Sequence, residues 1–92
     1  MKIKKYKTAS GLKYQILSNQ SCFKINGGND EVNSKAYNDC MNEADKLIAE
    51  NHYSYYIKEK YVKPNYGIIG VNLRIYNSND AFVKELKKRK LI

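Results

Sequence analysis

Between residues 53 and 66, tyrosines are interleaved with lysines, and these are the side chains of this chain best suited to bind a partner. The sequence contains nine tyrosines. The cluster holds Tyr53, Tyr55, Tyr56, Tyr61 and Tyr66 together with Lys58, Lys60 and Lys63. Tyrosine combines a large apolar ring with a polar tip and is enriched at binding hot spots. Beside lysine, it can also stack on the bases of a single-stranded nucleic acid. The cluster therefore predicts a binding surface, although tyrosine is also a good strand former.

A second set of candidate binding residues is the basic C-terminus. It consists of Lys87, Lys88, Arg89 and Lys90, which could contact phosphate groups without reading sequence. Cations also stabilise the C-terminal end of a helix, which is the structural explanation for the same run. We add Arg74 and Tyr76 to the predicted binding residues because they alternate along a nearby predicted strand.

Residue types that could catalyse a reaction are present, but their spacing does not favour an enzyme. His52 is the single histidine, and a nucleophilic pair would need Cys22 or Cys40 beside it. Cys40 falls in an apolar helical stripe, and a helix-capping role is expected for His52. The acidic residues are neighbours on a predicted helix, whereas a catalytic metal site needs carboxylates that converge from different elements. No zinc-binding or phosphate-binding motif occurs. We predict no catalytic site, no metal site and no cofactor.

Charge is unevenly distributed along the 92 residues, whose formal net charge is +8. Residues 1–29 hold six lysines and no acid, whereas residues 30–50 hold six of the nine acids. A positive and a negative face would attract nucleic acid, a nucleoprotein complex or an acidic host protein. The length predicts a single domain over 1–92, and a homodimer is compatible with it. No long apolar stretch or signal peptide is present, so we expect no membrane partner and a location in the cytoplasm of a host cell.

Alternating apolar residues predict strands in both halves of the chain. In the first half, residues 12–17 and 22–26 form a hairpin, and residues 2–8 add a lysine-rich edge strand. In the second half, residues 53–62 and 69–76 flank a turn at Pro64–Gly67, and residues 69–76 form the central strand.

Two helices are predicted by three- and four-residue apolar spacing. The first begins after a cap at Asn29 and ends at about Asn51, although poor helix formers leave open a start as late as Asp39 with 32–37 as a strand. The second runs from Asp80 to about Lys90. The expected fold is α+β, an antiparallel sheet of about four to five strands covered on one face by two helices in the order (β)ββαββα.

Residues 12–50 resemble the three-stranded-sheet-plus-helix modules that bind DNA at the arm sites of phage-type integrases. The likeness rests on the first hairpin and on the run Asn42-Glu43-Ala44-Asp45-Lys46, and it covers under half of the chain. The resemblance implies that the sheet would read the major groove through Lys13, Gln15 and Lys24. In size and composition the chain also resembles small accessory proteins of phages and mobile elements, including inhibitors of host defence.

Two functions follow as hypotheses. The first is a small non-enzymatic accessory protein that binds nucleic acid or a nucleoprotein complex through a basic, tyrosine-rich surface. The alternative is a protein-binding inhibitor of a host defence system, similar in character to anti-CRISPR proteins, which would depend on a few tyrosine side chains.

Overall fold

The computed structural model describes residues 1–18 and 30–92, apart from the side chains of residues 30–32 and 64. The described elements are strands β1 (Lys2–Thr8) and β2 (Gly11–Leu17), helix α1 (Asp30–Asn51), strands β3 (Tyr56–Lys63) and β4 (Ile68–Tyr76), and helix α2 (Asn79–Lys88). A short 3-10 turn, Pro64–Tyr66, joins β3 to β4. The predicted α+β class and the order of strands and helices are confirmed.

One antiparallel sheet contains all four described strands, in the order β1-β2-β4-β3. The predictions that residues 2–8 form an edge strand and that β4 is central are both confirmed. Lysines suit β1 because charge on an edge strand discourages pairing with other chains. The strand predicted at 22–26 lies outside the described residues.

The hydrophobic core lies between α1 and one face of the sheet. Strand β4 contributes Ile69, Val71, Leu73 and Ile75, all at most 6% exposed, and β2 contributes Tyr14 and Ile16. Two small residues of α1, Cys40 and Ala44, belong to the same cluster, and Ala36 of that helix is also buried. Each fully buried branched aliphatic side chain stabilises the fold by about 1.5 to 3 kcal/mol.

Helix α1 has 22 residues, so the longer of the two predicted helices is correct and the start at Asp39 is wrong. The reason is visible at Ala36, which is only 2% exposed. Because the first half of the helix also lies against the sheet, tertiary packing outweighs the poor helix propensity of Ser34 and Asn38.

Helix α2 differs from the expectation in its position. Its Phe82 ring lies 5.7 Å from the ring of Tyr76 and 5.8 Å from that of Tyr55. Tyr76 follows Ile75 directly, so its side chain points to the face of the sheet opposite the core. The two helices therefore lie on opposite faces, rather than together on one. The N-terminus of α2 is capped by Ser78, whose hydroxyl oxygen accepts a hydrogen bond from the amide of Ala81 at 3.2 Å.

Both helices end in the same way, with a non-glycine residue in the left-handed conformation. At the end of α1, His52 has φ 56°, and the amide of Tyr53 donates to the carbonyl of Ile48 at 3.1 Å. At the end of α2, Lys90 has φ 59°, and the amide of Leu91 donates to the carbonyl of Leu86 at 2.9 Å. This is the Schellman arrangement, in which glycine is the usual residue. His52 thus caps α1 through its backbone conformation, whereas its side chain was expected to act as a cation.

Neither described helix is both long and apolar enough to pass through a membrane.

We predict that His52→Gly stabilises the protein by about 0.5 to 1 kcal/mol. A side chain in the left-handed conformation costs about 1 to 2 kcal/mol, and the greater freedom of glycine in the unfolded chain offsets part of that gain. Urea denaturation measures the change. His52→Ala is the control, because it removes the ring but keeps the Cβ atom. An equal gain in both variants would contradict the backbone explanation.

Candidate functional site

The face of the sheet opposite α1 is the best candidate for a binding surface. Strand alternation and register place alternate residues of each strand on it. We call it the open face, and its members are Lys2, Lys4, Tyr6 and Thr8 of β1, Gly11, Lys13, Gln15 and Leu17 of β2, Ile57, Glu59, Tyr61 and Lys63 of β3, and Ile68, Gly70, Asn72, Arg74 and Tyr76 of β4. Helix α2 contacts it at the Tyr76 end.

Basic side chains dominate the open face. Lys2 and Lys4 are exposed on the edge strand, Lys63 is exposed at the far edge, and Lys13 lies between them on β2. Lys13 pairs directly with Tyr6 on one side and with Arg74 on the other. These cations produce a positive potential over one face.

The single acid that the sheet strands place on this face, Glu59, is already paired with arginine. Its carboxylate lies 3.8 Å from Arg74 Nε and also accepts a hydrogen bond from Arg89 Nη1. Arg89 in turn donates from Nε to Glu85 at 2.8 Å. The hydrogen bond from Arg89 lowers the pKa of Glu85 below its ordinary value. Glu59 therefore offsets arginine charge and leaves the four lysines uncompensated.

Three tyrosines belong to the open face, but Tyr76 is buried against Phe82 of α2, which leaves Tyr6 and Tyr61. Tyr6 is 44% exposed on β1, and Tyr61 lies on β3, with the amino group of Lys63 5.8 Å from its ring centroid. Lys63 also lies 6.0 Å from the ring of Tyr66, which is 72% exposed. With strands about 4.8 Å apart and about 3.4 Å of rise per residue, Tyr6 and Tyr61 are separated diagonally by about 20 Å.

Two amide side chains lie in the middle of that diagonal. Gln15 and Asn72 pair directly across β2 and β4. Asn72 Oδ1 is buried and has no hydrogen-bond partner within the described part of the chain. Amide side chains can both donate to and accept from the edges of nucleic-acid bases.

The predicted tyrosine cluster is divided between several environments. Tyr53 and Tyr14 share a hydroxyl–hydroxyl hydrogen bond of 2.7 Å, and burial raises the pKa of Tyr53. Tyr56 packs against the core, while Tyr55 contacts Phe82. Of the cluster, the half-buried Tyr61 and the exposed Tyr66 lie beside a lysine.

The predicted lysines of β3 are likewise divided. Lys58 and Lys60 are on the α1 face, where Lys58 pairs with Asp45 at 2.6 Å and Lys60 lies 4.9 Å from the ring of Tyr37. Only Lys63 belongs to the open face. The structure thus does not bring the lysines of this strand together.

The C-terminal basic run is also split by its contacts. Lys87, Lys88 and Lys90 are exposed. Arg89 is part of the ion pairs with Glu59 and Glu85 that hold the end of α2 against the sheet.

Lys2, Lys4, Tyr6 and Asn72 were not among the predicted binding residues. Lys13 and Gln15 entered only through the resemblance to integrase modules, and Lys24 lies outside the described residues. The two-residue alternation of β1, β2 and β4, combined with the pairing of these strands, is the signal that could have identified the open-face residues among them.

The residues considered for catalysis lie apart. Cys40 is fully buried, and His52 follows the end of α1, twelve residues further along the chain, which corresponds to about 18 Å of helix. Cys22 lies outside the described residues. Within 1–18 and 30–92, no group of three or more histidine, cysteine or acidic side chains is placed to hold a metal ion.

No family model, curated protein or solved structure matches this chain.

We predict that Glu85→Gln destabilises the protein at neutral pH and has little effect in acid. Because the pKa of Glu85 is lowered by Arg89, its ionised form stabilises the fold above its ordinary pKa. That contribution is lost as the pH falls through the lowered value. Thermal unfolding from neutral pH to about pH 3 should show the wild-type and variant midpoints converging in acid.

The control for this experiment is Asp39→Asn, which neutralises an exposed acid of α1. Asp39 has no ion pair within the described residues, so its variant should show no such convergence. A difference between wild type and Glu85→Gln that stays constant over the whole pH range would contradict the role of the Arg89 contact.

Proposed function

We propose that this protein is a non-enzymatic binding protein that holds single-stranded nucleic acid against the open face of its sheet. The observation that carries the proposal is the composition of that face: four lysines and, besides the buried Tyr76, two tyrosines, with its one sheet acid paired with arginine. A positive surface with exposed aromatic rings is the chemistry that binds single strands, because phosphates bind cations and every base has a face for stacking.

The distance between Tyr6 and Tyr61 supports a path on which a single strand crosses the open face from one ring to the other. A strand on this diagonal could stack one base on each ring, while Lys4 and Lys13 neutralise phosphates near the first. Between the rings, the amides of Gln15 and Asn72 could hydrogen-bond base edges. The proposed binding would therefore be mainly electrostatic, with a modest sequence preference from the two amides.

The exposed acids of α1 support binding of nucleic acid at the open face rather than at the α1 side. Asp39, Asp45 and Glu50 are exposed on α1, which lies on the other face of the sheet. Asp45 pairs with Lys58, whereas Asp39 and Glu50 have no ion pair among the described residues. Because these acids offset part of the lysine charge on the α1 side, that side favours phosphate less than the open face does.

We predict that the double variant Lys2→Gln/Lys4→Gln weakens binding to a labelled single-stranded oligonucleotide and reduces its salt dependence. Each lost phosphate contact should reduce the slope of log K against log salt by about 0.7. Fluorescence anisotropy at several salt concentrations measures both effects. The matched control is Lys5→Gln/Lys7→Gln, which removes the same charge from the same strand on its other face. Equal losses in both variants would mean that total charge, rather than the open face, determines binding.

We also predict that Tyr6→Leu and Tyr61→Leu each reduce the binding free energy by about 1 to 3 kcal/mol, since each removes a ring on which a base stacks. Leucine keeps apolar area at the position, so the loss would reflect stacking. The same anisotropy titration measures it. Full affinity in both variants would exclude the proposed path.

The protein-binding alternative is favoured by one observation, the 72% exposure of Tyr66 beside Lys63. An exposed tyrosine beside a cation is typical of an interface with an acidic protein surface. Capture of a host protein that survives nuclease treatment and is lost in Tyr66→Ala would support this inhibitor function. Under the nucleic-acid proposal, Tyr66→Ala should leave oligonucleotide affinity nearly unchanged, because Tyr66 is outside the open face.

A further inference from the structure

A cleft of about 390 Å³ lies between α2 and the turn that joins β1 to β2. Small residues, Ala9 and Ala81, line it on opposite sides, and Tyr76 forms part of its wall. Ser10 and Lys84 also line it. A volume of this size falls within the range of small-molecule sites.

The hydroxyl group of Tyr76 is the first sign that the cleft binds a ligand. Tyr76 is only 7% exposed, and its hydroxyl has no hydrogen-bond partner within the described residues. Buried polar groups in folded proteins are almost always hydrogen-bonded, so an unpaired one calls for an explanation. Burial also raises the pKa of Tyr76, which keeps its hydroxyl protonated and able to donate at neutral pH.

Two lysines of α2 make the cleft electropositive. Lys84 and Lys88 are four residues apart, so they lie on the same side of the helix, and both are exposed. Neither has an ion-pair partner in the part of the chain that the structure describes. The acid that lines the cleft, Glu85, accepts a hydrogen bond from Arg89. Arg89 is therefore the main partner of this carboxylate, and Lys88 makes a smaller contribution to lowering its pKa.

We propose that this cleft binds a phosphate monoester group, with Lys84 and Lys88 as its cations and the hydroxyls of Tyr76 and Ser10 as donors. A phosphate monoester carries nearly two negative charges and three strong acceptor oxygens at neutral pH. Two lysines match that charge, and the hydroxyl donors match the oxygens. The space beyond a single phosphate leaves room for an attached sugar and base. The proposal does not rest on nucleic-acid binding at the open face.

The phosphate group could belong to a free nucleotide or to the end of a nucleic-acid strand. Calorimetric titrations with inorganic phosphate, a nucleoside monophosphate, and an oligonucleotide with or without a 5′-phosphate separate the two sources. Tighter binding of the phosphorylated oligonucleotide identifies a strand end as the ligand. Saturable binding of the mononucleotide without discrimination between the oligonucleotides identifies a free nucleotide. Either result supports the site.

Two variants and a matched control test the assigned residues. Lys84→Gln/Lys88→Gln should weaken binding of the mononucleotide at least about tenfold, a loss of about 1.4 kcal/mol. Lys87→Gln/Lys90→Gln removes equal charge from the same end of the chain outside the cleft and should change it less than about twofold.

Tyr76→Phe separates a binding role from a structural one. It should weaken mononucleotide binding several-fold, while the thermal midpoint without ligand stays equal or rises, because the variant removes an unpaired buried hydroxyl. The proposal is overturned if no phosphate probe binds saturably at millimolar concentration. It is also overturned if Tyr76→Phe and Lys84→Gln/Lys88→Gln bind as the wild type does. Loss of mononucleotide binding in Lys2→Gln/Lys4→Gln would place the phosphate on the open face and likewise overturn it.

Discussion

The close packing of α1 against β2 and β4 is the interaction on which the rest of the structure depends. Ala36, Cys40 and Ala44 recur every four residues on the helix and are almost fully buried. Because their side chains are small, the helix can approach the sheet closely, and the branched side chains of β4 fill the space between. A domain of this size has room for one such layer, which therefore supplies most of its hydrophobic stabilisation.

This layer also determines the composition of the opposite face. Because Val71 and Leu73 pack against α1, the two-residue period of the strand places Asn72 and Arg74 on the opposite face of the sheet. A shift of the register by one residue would expose the core and bury charge, so the register is strongly specified. Few apolar residues remain for a second layer, and α2 has no buried residue. An incompletely covered, basic sheet face is thus a consequence of packing, before any function is considered.

The sequence predicted the elements whose signals are local. The alternation of β4 and the apolar stripe of α1 identify both elements without knowledge of their partners. The face on which Lys58 and Lys60 lie could not be predicted in this way, because tyrosines occupy both sides of β3. It follows from pairing, since Lys58 is opposite Leu73 and Lys60 is opposite Val71. The position of α2 could not be predicted either, because it depends on the hydrogen bond from Arg89 to Glu59, which is thirty residues away along the chain.

Buried polar atoms without hydrogen-bond partners connect the two proposed sites. Among the described residues there are four such atoms. Asn72 Oδ1, Arg74 Nε and Tyr76 Oη belong to alternate residues of β4 on the open face, and the fourth is Asn33 Oδ1 on α1. Unpaired polar groups destabilise a fold, and the opposite face of the same strand carries the core that can offset this cost. On the open face, the hydrogen-bonding groups left without a partner are therefore arranged along one line. One end of that line is the amide of Asn72 between Tyr6 and Tyr61, the other is the hydroxyl of Tyr76, which lines the cleft beside α2, and Arg74 lies between them. A strand that crosses the open face and a phosphate held in the cleft would each satisfy groups that the folded chain leaves unpaired.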